Sequence, residues 1–269
     1  MGSAQFGLST AHIAHQTVAE AVDRCRALGV DAVEFFVAEY AVDTCREARR
    51  LAGEAGLAVD YHAPWHGPYD LGFTDRDTAF QHLEQAIARA HLIGARHLIC
   101  HLGRYSLDRH DGRDRALEQI IDITQALLPA LHDTGIALCY EDNTLCHDPN
   151  PLGDQPRDFA LLFDAIGDPH VGMTLDTGHA HITGHTRAYL EQFGRRVYYV
   201  HVDDNDGVGD QHVPPSSGTI DWETLFEWLA YYGAEGSFGI EFNEQFVADE
   251  LPFLRDLAGR HDWAVPRGR

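Results

Sequence analysis

The sequence predicts an α/β protein folded as a (β/α)8 barrel. Three observations support this prediction: eight short β-rich runs recur along 269 residues, segments with helical apolar spacing separate them, and glycines stand where those helices should stop. Strands that alternate with helices indicate a parallel sheet, and eight such units in a chain of this length fit a closed barrel better than an open doubly wound sheet. No GxGxxG motif follows a strand, which also disfavours a dinucleotide-binding fold.

The predicted strands share one pattern, because each begins with apolar residues and ends with polar ones. They are FGLST (6–10), AVEFFVA (32–38), LAVDYHAP (57–64), HLICHLG (97–103), IALCYEDN (136–143), VGMTLDTGH (171–179), VYYVHVDDN (197–205) and FGIEFNE (238–244). The helices predicted between them include 17–29, 77–95 and 221–234, and helix stops are expected at Gly29, Gly56, Gly94, Gly135 and Gly233. Residues 144–157 are expected to form a long loop, and residues 1–269 a single domain.

The amino-acid composition excludes some classes of catalytic site and disfavours some binding partners. The formal net charge is −22, and all twenty basic residues are arginines because the chain has no lysine. A Schiff base, a P-loop lysine and a pyridoxal phosphate anchor are therefore excluded. A field this negative also opposes binding of a polyanion such as DNA, so a nucleic acid partner is not expected. Salt adaptation is an alternative origin of the acidity that the sequence leaves open.

The sequence favours a cytoplasmic protein. No apolar run reaches the roughly 18–20 residues of a membrane span, and the N-terminal MGSAQFGLST lacks the layout of a signal peptide. The five cysteines are scattered and show no CxxC spacing, which is typical of a reduced compartment. We therefore expect no membrane partner.

Histidines and carboxylates gather where a barrel places its active site, at the carboxyl ends of the strands. The candidates are His62, His101, Glu141, Asp176, His179, His201 and Glu241, with Asp210 and His212 in the loop after strand seven, and His12 and His15 after strand one. Converging carboxylates and imidazoles are typical of sites for Zn²⁺, Mn²⁺ or Co²⁺, whereas Mg²⁺ prefers more oxygen ligands. The sequence therefore predicts a metal site.

Other polar residues have simpler expected roles. Glu34, on strand two, is expected either to help close the barrel floor or to reach the substrate. Asp203, Asp204 and Asp206 are expected to form a turn or face solvent, because Asn205-Asp206-Gly207 is a turn signature. The remaining histidines, of which there are too many to be ligands, are expected to be ordinary polar residues: His66, His82, His91, His110, His132, His147, His170, His181, His185 and His261.

The motifs YHAPW, CHLG, YEDN, LDTGHAH, HVDDNDGVGDQH…GTIDW and IEFNE, in this order at strand ends, resemble the xylose isomerase-like TIM barrels. This superfamily includes sugar isomerases and epimerases and the endonuclease IV family. The resemblance implies that Glu141, Asp176, His201 and Glu241 hold one divalent metal, as in the epimerases. It also implies that His179 contacts substrate, as in the epimerases, or a metal, as in endonuclease IV. His62, His101, Asp210 and His212 match the remaining ligands of the three zincs of endonuclease IV.

The sequence departs from this family in two places. The epimerases commonly carry an arginine six residues after the strand-seven histidine, and here that position is Gly207. Their Gly-Glu-Gly is replaced by Ser216-Ser217-Gly218, which puts one substrate contact in doubt and leaves Ile220-Asp221-Trp222 as the clearer marker. Xylose isomerase itself needs a lysine near its metals, so its hydride-shift chemistry does not match this chain.

Three functions remain open, and we rank a metal-dependent isomerase or epimerase of a sugar or sugar phosphate first. In that mechanism Glu141 and Glu241 act as general base and acid on two sides of the substrate carbon, and the metal stabilises the developing enolate charge. Trp65 and Phe242 would cover an apolar sugar face or merely pack, and Asn143 is a further candidate for substrate binding.

The alternative is a multinuclear zinc phosphoester hydrolase, acting on abasic DNA or a small phosphate ester, with up to three zinc ions. A barrel that only binds a metal or a sugar comes last. The expected cofactor is one divalent ion (Mn²⁺, Zn²⁺, Co²⁺ or Mg²⁺), and a homo-oligomer is possible because barrels of this family are often dimers or tetramers.

Overall fold

Eight parallel strands close into a barrel in which each strand pairs with its neighbours in chain order and the eighth pairs with the first. The computed structural model describes residues 3–14, 17–36, 41–146 and 149–264. The strands are β1 (Gln5–Ser9), β2 (Ala32–Phe36), β3 (Ala58–His62), β4 (His97–His101), β5 (Ala137–Glu141), β6 (Val171–Asp176), β7 (Val197–Val202) and β8 (Ser237–Ile240). The predicted (β/α)8 barrel is confirmed.

Helices follow the strands and pack around the barrel. Those in the described part of the chain are α1 (Val18–Leu28), α2 (Val42–Ala55), α3 (Arg76–Ile93), α4 (Gly112–Thr134), α5 (Pro156–Ala165), α6 (Thr177–Thr183), α7 (Thr186–Phe193), α8 (Trp222–Tyr232) and α9 (Val247–Gly259). The link from β6 to β7 contains both α6 and α7. The predicted loop 144–157 ends at Pro156, where α5 begins, and His147 lies outside the described residues.

The helix ends follow local rules that the sequence contains. Thr17 and Glu20 form a capping box at the start of α1, with each side chain accepting a hydrogen bond from the other residue's backbone N–H. All five predicted glycine stops are confirmed, with left-handed φ values between 71° and 84° that suit glycine. These local signals therefore define where the helices end, before the chain enters the next strand.

Apolar side chains of the strands form the main hydrophobic core with the helices, whereas some buried side chains within the sheet are polar. Phe6 and Phe238, on neighbouring strands, stack with ring centroids 4.9 Å apart and belong to the main hydrophobic core. Each such fully buried side chain contributes about 1.5–3 kcal/mol through removal of its surface from water. Deep inside, the buried carboxylate of Asp60 lies 2.8 Å from His97 Nδ1 and accepts a 2.9 Å hydrogen bond from Arg96. This polar layer lies beneath the strand ends that carry the candidate site.

None of the helices described is both long and apolar enough to cross a membrane.

Candidate metal centre

A cavity of about 110 Å³ opens at the carboxyl ends of the strands. Its described lining combines imidazoles, carboxylates and aromatic rings: Ala11, His12, Phe36, His62, Trp65, His101, Glu141, His179, His212 and Glu241. The described lining contains no arginine, so imidazoles are its basic groups. Most of the residues predicted as ligands therefore meet in one small space.

The four ligands predicted for a single metal form one compact group. Glu141, Asp176 and His201 lie at the ends of β5, β6 and β7, and Glu241 directly follows β8. Each offers one donor atom, and these atoms all lie within 4.8 Å of one another in a buried position. One oxygen of Asp176 accepts a 2.7 Å hydrogen bond from the backbone of His179, while its Oδ2 is buried without a hydrogen bond from the described residues. A buried carboxylate oxygen left in this way suits a cation, so the group fits a divalent metal ion.

Glu34 contacts the ring nitrogen of His201 that faces away from the other predicted ligands. His201 Nδ1 lies 3.0 Å from Glu141 Oε1, and its Nε2 lies 3.1 Å from Glu34 Oε2. Glu34 is fully buried and is not part of the described cavity lining. Its absence from this lining argues against direct contact with substrate, and its role at the barrel floor stays a prediction. Its carboxylate accepts a hydrogen bond from the imidazole, which fixes the orientation of a candidate ligand.

A second donor group shares Glu141. The Nε2 atoms of His62 and His101 lie 3.1 Å and 3.2 Å from Glu141 Oε2. His62 Nδ1 is 2.8 Å from the carbonyl oxygen of Ala63, which can only accept, so this nitrogen carries the proton and donates. Asn143, predicted to bind substrate, is buried, and its Nδ2 lies 3.4 Å from His101 Nδ1. This contact suits Asn143 to positioning His101, and its binding of substrate stays a prediction.

The third group lies after β7. His179 Nε2 and His212 Nε2 lie 3.6 Å and 3.3 Å from Asp210 Oδ2, and Asp203 also joins the cluster. His212 Nδ1 donates a 2.8 Å hydrogen bond to the carbonyl oxygen of Glu241. His212 has a φ of 45°, which non-glycine residues rarely adopt. The chain is thus held in an unfavourable conformation that turns this imidazole toward the site.

The loop after β7 is less exposed than the sequence suggested. Asp203 and Asp204 are fully buried, so the alternative that they face solvent is wrong. Asp204 accepts hydrogen bonds from Asn205, Thr219, Ile220 and the indole of Trp222. Asp206 does form the turn, as expected, with its exposed carboxylate accepting hydrogen bonds from the backbone N–H groups of Val208 and Gly209.

The turn also explains one departure from the resembled enzymes. Gly207 has a φ of 77°, a conformation that glycine adopts without strain and arginine does not. The position at which those enzymes commonly carry an arginine is therefore shaped here for a tight turn.

The buried acids and imidazoles influence one another strongly. Burial opposes ionisation of Glu141, but His101 and His201 outweigh it and hold the pKa of this carboxyl well below its ordinary value. Burial raises the pKa of Glu241 to about 7, despite the opposing attraction of His201. Burial disfavours a charged His201, yet Glu241 and Glu141 raise its pKa well above the ordinary range. The carboxylates and the imidazole therefore stabilise one another's charged forms, and a bound cation would take the place of the proton on His201.

Aromatic rings form one wall of the cavity. The ring of Trp65 stacks on His101 with centroids 4.8 Å apart and meets Phe36 edge-on at 5.1 Å. Trp65 thus lies where the prediction of a substrate cover requires it, and its contact with substrate stays a prediction. Phe242 is fully buried in the hydrophobic core and is absent from the described lining. For Phe242 the structure favours the packing role.

Two residues of the site had no assigned ligand role in the sequence. Asp203 follows His201 by two positions, and residues two apart on a strand point to the same face, so this spacing was a usable signal. His12 stacks on His212 with centroids 5.1 Å apart and shares a donor group with it and Glu241. His12 was among the candidates expected at the strand ends, although no role as a ligand was predicted for it. His15 lies outside the described residues.

Curated relatives at low identity have diverse names. The chain is 24% identical over 200 residues to an uncharacterised protein of Methanocaldococcus jannaschii, and the match spans 69% of this chain but only 64% of that relative's length. It is 27% identical to a putative hydroxypyruvate isomerase of Homo sapiens, over 86% of each chain. It is 25% identical to a probable endonuclease 4 of Mycobacterium ulcerans, over 90% of this chain and 96% of that protein.

The solved structures agree on the fold. The crystal structure of a D-tagatose 3-epimerase-like protein superposes with a TM-score of 0.82, over 95% of this chain and 97% of that one, at 18% identity. At this identity the likeness shows the architecture alone. The sequence model of the xylose isomerase-like TIM barrel family matches residues 22–257, which is most of the chain. The protein therefore belongs to the xylose isomerase-like TIM barrel family.

Proposed function

We propose that the protein is a divalent-metal-dependent isomerase or epimerase acting on a small polyhydroxy carbonyl compound, a sugar or sugar phosphate. One observation carries the proposal: Glu141 and Glu241, from strands on different sides of the barrel, line the same small cavity and share the donor group with Asp176 and His201. The putative hydroxypyruvate isomerase among the relatives and the epimerase-like structural neighbour support this reaction class.

Glu141, Asp176, His201 and Glu241 would hold the cation, with Glu34 fixing the ring of His201. A divalent cation bound there would polarise a carbonyl oxygen and stabilise the negative charge that develops when a neighbouring C–H is deprotonated.

The proton transfer itself falls to the two glutamates. The carbon next to a carbonyl is only weakly acidic, so a carboxylate positioned on each face allows one to remove a proton and the other to return one. Glu141 and Glu241 approach from different strands, so they can act on opposite faces of the substrate. Removing a proton from one face of a carbon and returning it to the other face inverts that carbon, which is epimerisation. Moving a proton between neighbouring carbons isomerises the sugar. His179 is suited to bind a substrate oxygen, and Trp65 excludes water from one side of the cavity.

Solvent deuterium exchange tests this directly. The protein, supplied with Mn²⁺ or Co²⁺, is incubated in D₂O with hydroxypyruvate and a panel of ketoses and their phosphates, and deuterium at the carbon next to the carbonyl is followed by NMR. We expect incorporation with at least one substrate. Glu141→Gln and Glu241→Gln should each lower the rate by about 10²–10⁴-fold, because an amide cannot accept the proton.

A matched control is Glu227→Gln, an exposed glutamate on α8 that does not line the cavity. Its exchange rate should equal that of the wild type. Exchange that persists at full rate in Glu241→Gln would contradict the role given to this residue.

A specific observation favours a second candidate, a multinuclear zinc phosphoester hydrolase. Donor atoms of His62, His101 and Glu141 form one group, and those of Asp203, Asp210 and His212 form another, each within 4.8 Å. Together with the central group they would suit several ions that clamp a phosphate and activate water. The net charge of −22 opposes a DNA substrate but not a small phosphate ester.

Metal counting and a double substitution separate the candidates. One ion per chain at the barrel mouth supports the isomerase, whereas about three zinc ions per chain would favour the hydrolase. Hydrolysis of a chromogenic phosphodiester that is lost in Asp210→Asn/His212→Gln, without deuterium exchange on any sugar, would establish the second candidate and overturn the first.

A further inference from the structure

A separate group of two histidines and one aspartate, residue types that can ligate metals, lies at the opposite end of the barrel. His132 is in the last turn of α4, and Asp168 and His170 lie just before β6 begins at Val171. These positions face the amino ends of the strands, whereas the candidate active site is at the carboxyl ends. One donor atom from each of the three residues lies within 4.8 Å of the others.

The three side chains already contact one another. Asp168 Oδ2 lies 2.7 Å from His132 Nε2, and Asp168 Oδ1 lies 3.3 Å from His170 Nδ1. The two imidazole rings are tilted against each other with centroids 4.7 Å apart. Two ligand bonds of about 2.1 Å at a tetrahedral angle separate their donor atoms by about 3.4 Å. The three donor atoms, which all lie within 4.8 Å of one another, are therefore close to the spacing that one ion requires.

The carboxylate is fixed and ionised. The backbone N–H of His170 donates a 2.8 Å hydrogen bond to Asp168 Oδ1. Burial opposes ionisation, but this hydrogen bond and His132 outweigh it and hold the pKa of Asp168 below its ordinary value. Arg196 holds the same segment in place by donating hydrogen bonds to the carbonyl oxygens of Asp168 at 2.6 Å and of Val171 at 2.9 Å. A ligand set on a fixed backbone loses little entropy when it binds.

We propose that His132, Asp168 and His170 form a second, independent metal site that takes a late transition metal ion such as Zn²⁺, Ni²⁺ or Cu²⁺. Two imidazoles and one carboxylate are the donor set these ions prefer, and Mg²⁺, which prefers oxygen, is not bound. His132 is half exposed and His170 is partly exposed, so ions reach the site from solvent and water completes the coordination. The bound ion links the end of α4 to the start of β6 and stabilises the fold.

The test compares zinc binding in the wild type and in His132→Gln/His170→Gln, by equilibrium dialysis at neutral pH with Zn²⁺ alone as the probe. The double variant should bind one equivalent fewer per chain, and the zinc-dependent rise in Tm should shrink by the part due to this site. Wild-type protein titrated with Mg²⁺ should show no binding that depends on these two residues. His91→Gln removes an exposed histidine from the end of α3 and serves as the control, with binding unchanged.

Identical zinc stoichiometry and identical stabilisation in the wild type and the double variant would overturn the proposal and leave the cluster as a surface hydrogen-bond network. Both histidines are at least partly exposed, so the variant is expected to fold, which its far-ultraviolet circular dichroism verifies. Cu²⁺ provides an independent measurement, since its electron paramagnetic resonance signal at this site should show coupling to two nitrogens that the variant lacks. These metal-binding measurements do not depend on whether the site at the carboxyl ends of the strands has the proposed isomerase activity.

Discussion

Replacing Glu34 with glutamine tests whether a residue outside the cavity governs metal binding inside it. The Glu34 carboxylate, 3.1 Å from His201 Nε2, can only accept, so it keeps the imidazole proton on Nε2 and leaves Nδ1 for a ligand bond. A glutamine amide has the same shape but can also donate to Nε2, which would move the proton to Nδ1. Loss of such a supporting partner typically weakens metal binding by about 10–100-fold, or about 1.4–2.7 kcal/mol.

The assay is competition for Mn²⁺ or Zn²⁺ against a chelating dye, with wild type and Glu34→Gln at matched pH. Glu34→Asp is the companion variant: it restores the negative charge but shortens the side chain, so its affinity should fall between the two. Thermal unfolding without metal measures any general damage. If Glu34→Gln binds the metal as tightly as the wild type, the orientation of His201 by Glu34 is not what controls the site.

Two further predictions concern the stability of the elements that carry the site. Tyr140 and Thr124 are both buried, and their hydroxyl oxygens lie 2.7 Å apart. Thr124→Val should therefore lower the free energy of unfolding in urea by about 1–3 kcal/mol, because it leaves the Tyr140 hydroxyl without this partner. Adding Tyr140→Phe should recover part of that loss, and a purely additive double variant would refute the coupling. A methyl group at Gly218 would collide with the Asp204 carboxylate. Gly218→Ala should therefore lower the free energy of unfolding by about 1–3 kcal/mol, because it disturbs the hydrogen bonds of Asp204. An unchanged free energy of unfolding would show that these hydrogen bonds do not hold the loop after β7 in place.

The fold was predictable because local signals agree with the global arrangement. Glycine at each predicted helix stop, and polar residues at each strand end, mark the repeat of strand and helix without any knowledge of contacts. Closure of eight parallel strands then brings the strand ends together, so the gathering of histidines and carboxylates followed from position in the repeat. The choice of Glu141, Asp176, His201 and Glu241 as one ligand set came from the family resemblance, and their donor atoms do lie together.

The parts of the site that the sequence did not predict depend on contacts between distant segments. Asp204 looks like a turn residue in the sequence, yet it is buried because the returning segment from Thr219 to Trp222 supplies it with donors. His132 and His170 look like unrelated surface histidines, and only the packing of α4 against the start of β6 places them beside Asp168. A polar residue's role is set by its neighbours in space, and a single sequence does not contain that information.

The two oxygens of Glu141 connect the number of bound cations to the reaction that is possible. Oε1 lies 3.0 Å from His201, in the central group, and Oε2 lies 3.1 Å from His62 in the second group. With a cation in the central group alone, Oε2 remains available to take a proton from substrate. With cations in both groups, Glu141 would be a ligand on both sides, and its carboxylate would no longer serve as a base. The proposed isomerase mechanism therefore predicts that the group of His62 and His101 holds no ion in the active protein. Excess zinc should then suppress deuterium exchange, and the same occupancy would favour phosphoester hydrolysis.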